Sequence, residues 1–434
     1  MSAEFEELKE ECGVFGIWGN DAAAQLAYYG LHAMQHRGQE GAGIVTTDGE
    51  GLRVVKGEGL VNEVFNDQNL ETLEGFTAIG QNRYTTEEGR GIENVQPLVF
   101  RSTTGSLAIG MNGNLVNARD LRTSLEQQGS IFQTNSDTEV LAHLIKRSRG
   151  ALNQRERVKK ALSVLKGAFA FVLITDDELM IAQDPNGLRP LSLGKIGDAW
   201  VAASETCAFD IIGAEHVRSV EPGELIIVDK DGLHSERFAE RADRAICSME
   251  YVYFSRPDSN IDDINVHNAR KRCGIQLAKE VGDLEADVVT GVPDSSISAA
   301  IGFSEATGIP YELGLIKNRY VGRTFIQPSQ ALREKGVKMK LSPVRHVVAG
   351  KRVVMVDDSI VRGTTSRHIV RLLKEAGATE VHVVIASPPL VNPCYYGVDI
   401  STDSELIASG RSVEEVRELI QADSLTYLSI EGML

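Results

Sequence analysis

The run Val353-Val-Met-Val-Asp-Asp-Ser-Ile-Val-Arg-Gly-Thr-Thr365 places two adjacent acids at the end of four apolar residues. A loop with one glycine follows, and then a helical pattern begins. Loop amides and a helix N-terminus make an anion cradle. Neighbouring carboxylates repel a phosphate, so Asp357 and Asp358 must face something else; a sugar diol or a divalent cation fits, since hard oxygens suit Mg²⁺. The run is not a Walker A loop, because no GK[ST] occurs, and the chain has no GxGxxG fingerprint. The bland alternative is a capped helix with solvated acids.

Cys12 opens an apolar segment, Cys12-Gly-Val-Phe-Gly-Ile17. A lone cysteine there is ordinarily a small buried hydrophobe. If residues 1–11 were removed, however, it would carry a free α-amine titrating at about 7.7–8.0, suited to a base at neutral pH. Base and nucleophile would then share one residue. From Lys317 to Leu341 the chain carries Lys317, Arg319, Arg323, Arg333, Lys335, Lys338 and Lys340 against the single acid Glu334, with Gly322, Pro328 and Gly336. Such a basic stretch suits a mobile loop for a polyanion, or a solvated basic face. His32 and His36 stand i, i+4, but no HExxH or CxxC accompanies them, so the expectation is no metal there.

The loop at 353–365 resembles the phosphoribosyl pyrophosphate (PRPP) loop of type I phosphoribosyltransferases. That resemblance assigns Asp357 and Asp358 to the ribose diol and Mg²⁺, and Gly363, Thr364 and Thr365 to phosphate. Thr290-Gly-Val-Pro-Asp-Ser-Ser296 resembles the family's pyrophosphate loop. It implies PRPP contacts from Asp294, Ser295 and Ser296, with Ser295 joining the metal, and Lys317 completes the PRPP set. The basic loop would close over PRPP.

Five segments of the first half occur in family order: Cys12–Ile17, Gln35-His-Arg-Gly-Gln-Glu-Gly-Ala-Gly43, Asn82-Arg-Tyr84, Met111-Asn-Gly-Asn-Leu115 and Ser136-Asp-Thr-Glu139. They resemble the glutaminase domain of N-terminal-nucleophile (class II) amidotransferases. The resemblance implies that Cys12 attacks the glutamine amide, with Arg37, Asn112 and Gly113 completing the catalytic set. Asn112 and Gly113 would form an oxyanion hole, while Arg83 and Asp137 would hold the glutamine α-carboxylate and α-ammonium. Singly, each has a duller reading: Asn-Gly is a common hairpin turn, Asp137 a first-turn acid, and Arg83 a surface cation.

Together the halves resemble the glutamine phosphoribosylpyrophosphate amidotransferases, in the propeptide-bearing branch related to the iron–sulfur type. The implied reaction is L-glutamine + PRPP + water → 5-phosphoribosylamine + pyrophosphate + glutamate, the first committed step of purine synthesis, with ammonia passed internally. A homotetramer inhibited by purine nucleotides is implied too. Two of the branch's four cluster ligands match Cys247 and Cys394. The other two would come from a C-terminal CxxC, and this chain ends at Leu434 with no CxxC, so no intact [4Fe–4S] cluster is expected. Two rivals are a hexosamine-forming amidotransferase, which would lack the 353–365 loop, and a PRPP-sensing repressor, which would want a basic DNA-binding segment.

The elements that must hold these residues divide into two grammars. To about residue 240 the chain reads as short strands, at 13–18, 42–46, 52–55, 78–81, 107–111, 168–174, 179–182, 200–203 and 225–228. Helical patterns at 22–36, 140–146 and 157–165 lie among them, with Ser136–Glu139 written as a capping box. From about residue 265, helix and buried strand alternate: helix 265–281, strand 287–291, helix 296–307, strand 311–316, strand 352–356, helix 364–376 and strand 381–386. The expected fold is an α+β αββα glutaminase domain followed by an α/β phosphoribosyltransferase domain with a parallel sheet. Expected boundaries are 1–11 propeptide, 12–240 glutaminase and 241–434 phosphoribosyltransferase.

A 434-residue chain with 42% apolar and 24% charged residues has material for two or three such cores. Its net charge of −16 disfavours nucleic acid and anionic membrane surfaces. No apolar run spans a bilayer, the N-terminus is acidic where a signal peptide is basic, and five cysteines form no disulfide framework. A cytoplasmic enzyme is expected.

Overall fold

The computed structural model describes residues 12–84, 91–103, 105–148, 153–240, 242–318, 341–398, 400 and 402–434. The expected propeptide 1–11 and most of the basic segment, 319–340, lie outside the described residues.

Two antiparallel sheets stack in the first half. The seven-stranded sheet runs Glu215–Ser219, Ser192–Ile196, Ala199–Ala203, Gly13–Trp18, Thr77–Arg83, Gly41–Thr47, Leu52–Glu58. The six-stranded sheet runs Gly232–Arg237, Glu224–Asp229, Leu179–Gln183, Gly167–Ile174, Gly105–Leu115, Leu98–Ser102. Val14, Ile79 and Ala202 from one meet Ala108, Val172 and Ile226 from the other in a layer closed to water. Because successive side chains alternate faces, the opposite faces need their own cover. Phe15 and Ile17 pack under helices Ala23–Ala33 and Cys207–Ile212. Ile109, Phe169 and Phe171 pack under helices Ala118–Gln127, Asp137–Arg147 and Gln154–Leu162. This is the αββα sandwich. Helix Ala23–Ala33 lies so close to its sheet that a Cβ at Gly30 would meet the Phe15 ring at 2.5 Å.

In the second half, Val288–Gly291, Arg352–Asp357, Glu380–Ile385 and Ser424–Tyr427 form a parallel sheet in chain order. Val353–Val356 are all fully buried, as a strand covered on both faces requires. Ile369 and Leu373 of helix Thr364–Glu375 cover one face, with helix Val413–Ile420. Leu277 of helix Val266–Val281 and Phe303 of helix Ile297–Thr307 cover the other.

Two local readings need correction. The expected strand over 311–316 is instead a single bridge, Tyr311 to Val289, then a turn, then a short strand Leu315–Lys317 pairing antiparallel with Leu341–Pro343. The turn forms because the Gly314 amide is captured by Thr290 Oγ1 at 2.9 Å, which pulls the chain off the sheet edge. Ser136 does cap its helix, accepting from Thr138 N at 3.3 Å, but Glu139 does not reach back to close a box. Its carboxylate instead takes the amides of Gln133 and Thr134, at 3.0 and 2.7 Å, where more donors converge.

Candidate active sites

Cys12 immediately precedes the central strand Gly13–Trp18, whose first residue pairs with Asn82. That register sets the thiol against the end of the neighbouring strand: Tyr84 N donates to Cys12 Sγ at 3.4 Å, and Sγ donates to Tyr84 O at 3.6 Å. Arg37 Nε donates to the Cys12 carbonyl at 3.3 Å. The Arg37 guanidinium, 1% exposed, is gripped by Glu205 Oε1 at 2.7 Å and by both Glu250 oxygens at 2.8 and 3.0 Å. Arg37 therefore meets Cys12 through the backbone, with two carboxylates behind it. Arg83 closes the adjacent strand and is nearly buried; burial pulls its pKa down, opposed by the Cys12 sulfur and by Glu93.

Asn112 and Gly113 lie inside strand Gly105–Leu115, opposite Ala170 and Phe169, and not in a hairpin turn. Asn112 is fully buried, and both polar atoms of its side chain lack a hydrogen-bond partner. Such orphans cost about 1–3 kcal/mol each and call for a ligand or water. Gly113 has φ +132°, and a Cβ there would sit 2.0 Å from the Ala168 carbonyl. Only glycine keeps this strand end in place. Asp137 is tied to the same strand end, accepting the Leu115 amide at 2.9 Å; burial raises its pKa against that bond. Asn112, Gly113 and Asp137 thus share one strand terminus.

The second constellation sits at the carboxyl ends of the parallel strands. Asp357 and Asp358 are adjacent and 7% exposed each. Ser296 Oγ donates to Asp357 Oδ1 at 3.1 Å, and Ser295 Oγ donates to Asp358 Oδ2. Burial, reinforced by Asp358, pushes Asp357 well above the usual carboxylate range. Burial also raises Asp358, against hydrogen bonds from Ser295 and Ser359 and the charge of Arg270. Gly363, in the left-handed region at φ +75°, caps helix Thr364–Glu375. A Cβ at Gly363 would strike Ile407 Cδ1 at 2.3 Å. Thr365 Oγ1 is buried without a partner at this helix start, and Thr364 is exposed. Asp294 and Lys317 are both exposed. The donors are oxygens throughout, and two buried carboxylates with raised pKa values are short of positive charge. This set fits Mg²⁺, which is bound by one or two carboxylates plus substrate oxygens.

Among the described residues, no group of three or more His, Cys, Asp or Glu side chains is arranged to hold a metal. His36 pairs with Glu205 at 2.7 Å, not with His32. Cys247 and Cys394 both pack against the apolar cluster of Met249, Phe254 and Ile400. Sequence reasoning missed Glu205 and Glu250. An acid among small residues, Ser204-Glu-Thr-Cys207, carries no periodic signal, and the clue to each is its complete burial. It missed also that the segment around Tyr395 reaches the glutaminase half, where Asn114 Nδ2 donates to Tyr395 O at 3.0 Å and Arg189 donates to Tyr396 O. No helix among the described residues is long and apolar enough to cross a membrane.

Comparison with known proteins matches residues 88–210 to a glutamine amidotransferase domain and residues 261–407 to a phosphoribosyl transferase domain. The chain is 67% identical over 435 residues to the amidophosphoribosyltransferase of Bacillus subtilis (strain 168), covering 100% of this chain and 91% of that protein. It is 51% identical over 432 residues to the amidophosphoribosyltransferase of Staphylococcus aureus (strain Mu50), covering 99% and 87%. Among solved structures, the B. subtilis glutamine PRPP amidotransferase complexed with ADP and GMP superposes with a TM-score of 0.93 at 67% identity, over 98% of this chain and 92% of that one.

Proposed function

The chain belongs to the amidophosphoribosyltransferases, which make 5-phosphoribosylamine, pyrophosphate and glutamate from glutamine, PRPP and water, and we propose that it divides this reaction between the two sites described above. The observation that carries the division is that one chain holds Cys12 at the head of the central strand of one antiparallel sheet, an orphaned Asn112 in the sheet stacked on it, and a buried Asp357–Asp358 pair at the ends of a separate parallel sheet. We read residues 12–240 as the glutaminase and 241–434 as the phosphoribosyltransferase, with 1–11 a propeptide.

At the first site the Cys12 α-amine accepts the thiol proton and Sγ attacks the glutamine side-chain carbonyl. The Tyr84 amide supports the developing thiolate. The Asn112 side chain and the Gly113 amide receive the oxyanion; each such donor is worth about 3 kcal/mol in the transition state. Arg83 and Asp137 bind the substrate's α-carboxylate and α-ammonium. Collapse expels ammonia and leaves a thioester, which water hydrolyses to glutamate. The ammonia passes within the protein to the second site.

There Asp357 and Asp358 take the ribose diol, with Asp294, Ser295 and Ser296 at the pyrophosphate end. Gly363, Thr364 and Thr365 cradle the 5′-phosphate, and Lys317 adds charge. Asp357, Asp358 and Ser295 would hold Mg²⁺, which when bound neutralises pyrophosphate charge. The protein's part is to orient C1 of PRPP towards ammonia and exclude water. Purine nucleotides as inhibitors belong to the same reading, supported by the B. subtilis relative being complexed with ADP and GMP. So do a cytoplasmic setting and a homotetramer, which sedimentation would read.

The deciding measurement is pyrophosphate release from PRPP, first with glutamine and then with ammonia; release with neither would refute the reading. Intact mass of active protein should correspond to a chain beginning at Cys12. Full glutamine-dependent activity in protein still carrying residues 1–11 would contradict the amine's role as base.

A further inference from the structure

We propose that Glu250, supplied from beyond the glutaminase half, is a positioning residue for the glutamine site, acting through Arg37 on the backbone of Cys12. The inference rests on the reading of Cys12 as an N-terminal nucleophile. With residues 1–11 gone, no preceding peptide unit anchors Cys12, and its backbone is held from the carbonyl side while its thiol makes only long bonds to Tyr84, at 3.4 and 3.6 Å. The Arg37 Nε bond to that carbonyl, at 3.3 Å, then helps set how the amine and the thiol are turned.

The direction of Nε–H follows from the plane of the guanidinium, and a bidentate carboxylate is what fixes such a plane. Glu250 supplies it, taking Nη2 at 2.8 Å and Nη1 at 3.0 Å, with both side chains fully buried. Glu205 already neutralises Arg37 from the same half of the chain, at 2.7 Å. Glu250 also faces the buried Arg189 at 3.8 Å, but it gives its two short, paired bonds to Arg37, and that geometry fixes the guanidinium plane as charge balance alone would not. Burial alone would push the Glu250 carboxyl up, but Arg37, helped by Arg189 at 3.8 Å, holds it below the usual range.

Glu250 is itself held firmly. It opens a single π-turn, Glu250–Phe254, a rare conformation frequent at functional sites. Ser255 Oγ donates to Glu250 Oε2 at 2.8 Å. Arg270, on helix Val266–Val281, donates to the carbonyls of Tyr251, Tyr253 and Ser255 at 2.6, 3.0 and 2.8 Å. The turn is thus fastened to a helix of the PRPP-binding half and delivers one carboxylate into the other half.

The test is steady-state kinetics of full-length, processed Glu250→Gln with glutamine and with ammonia. The variant should lose about tenfold or more in glutamine-dependent kcat, with the glutamine KM within about threefold and ammonia-dependent synthesis within about twofold of the parent. Alkylation of Cys12 by iodoacetamide should slow in step. Unchanged glutamine-dependent kcat would overturn the inference. So would parallel loss with both nitrogen sources, which is what a residue that only cements the halves would produce. Should Glu250→Gln fail to fold, Ser255→Ala keeps the charge but loosens it, and about a threefold loss confined to glutamine is expected; no loss would count against the proposal. Cys12→Ala run alongside separates the two failures, because glutamine-dependent activity in that variant would bring down the reading of Cys12 itself.

Discussion

Cys12→Ala should abolish glutamine-dependent synthesis, by about 10⁴-fold or more, and leave ammonia-dependent synthesis within a small factor of the parent. In the proposed mechanism the Cys12 sulfur is the atom that bonds to substrate, and alanine offers nothing in its place. Its surroundings hold it without depending on it for packing: the sulfur's bonds to Tyr84 are long, at 3.4 and 3.6 Å, and the residue is only half-buried. The variant should therefore fold. Pyrophosphate release measured with each nitrogen source checks the expectation. Loss of both activities in a folded variant would show that the two chemistries are not divided as described.

Asp357→Asn should act on the other side, cutting PRPP-dependent synthesis by about 10³-fold with glutamine and ammonia alike, while Cys12 alkylation proceeds as in the parent. The same change should stabilise the ligand-free protein at neutral pH. Burial and the adjacent Asp358 raise the Asp357 pKa in the fold, so the folded chain binds a proton more tightly than the unfolded one. Protonation of such a group favours folding. The penalty is absent below the unfolded pKa and grows as pH rises towards the folded one. Asparagine is neutral throughout, so its thermal midpoint should exceed the parent's at pH 7–8, and the gap should close at low pH. Equal midpoints at pH 7–8, or unchanged PRPP kinetics, would mean that the two acids are solvated ornaments.

Much of the fold was legible because its segments obey period rules. Gly13–Trp18 and Ala168–Ile174 read as strands, and Ile369, Leu372 and Leu373 mark one helix face. The strands Leu98–Ser102, Ser192–Ile196 and Glu215–Ser219 did not register, since none shows a clean apolar alternation and each is ordered by its neighbours. The larger part of the proposed PRPP site, both acids, the glycine and the threonines, lies in one thirteen-residue run and could be read locally. The proposed glutamine site is assembled from remote pieces, and its leading residues were read from motif order. Nothing local marked Glu205 and Glu250 behind it, because their significance comes from Arg37, 168 and 213 residues away in sequence.

That separation also has a meaning in time. A ribosome making about 5–20 residues per second needs roughly 10–40 s to advance from Arg37 to Glu250. During that interval the αββα layers are available to collapse, yet the bidentate carboxylate that grips Arg37 is not yet made. The carbonyls of Tyr395 and Tyr396, which complete the environments of Asn114 and Arg189, arrive later still. The glutaminase half therefore cannot reach its final state by folding in the order in which it is made. Its last step waits for the opposite end of the chain, and the interval between the two is set by the pace of translation.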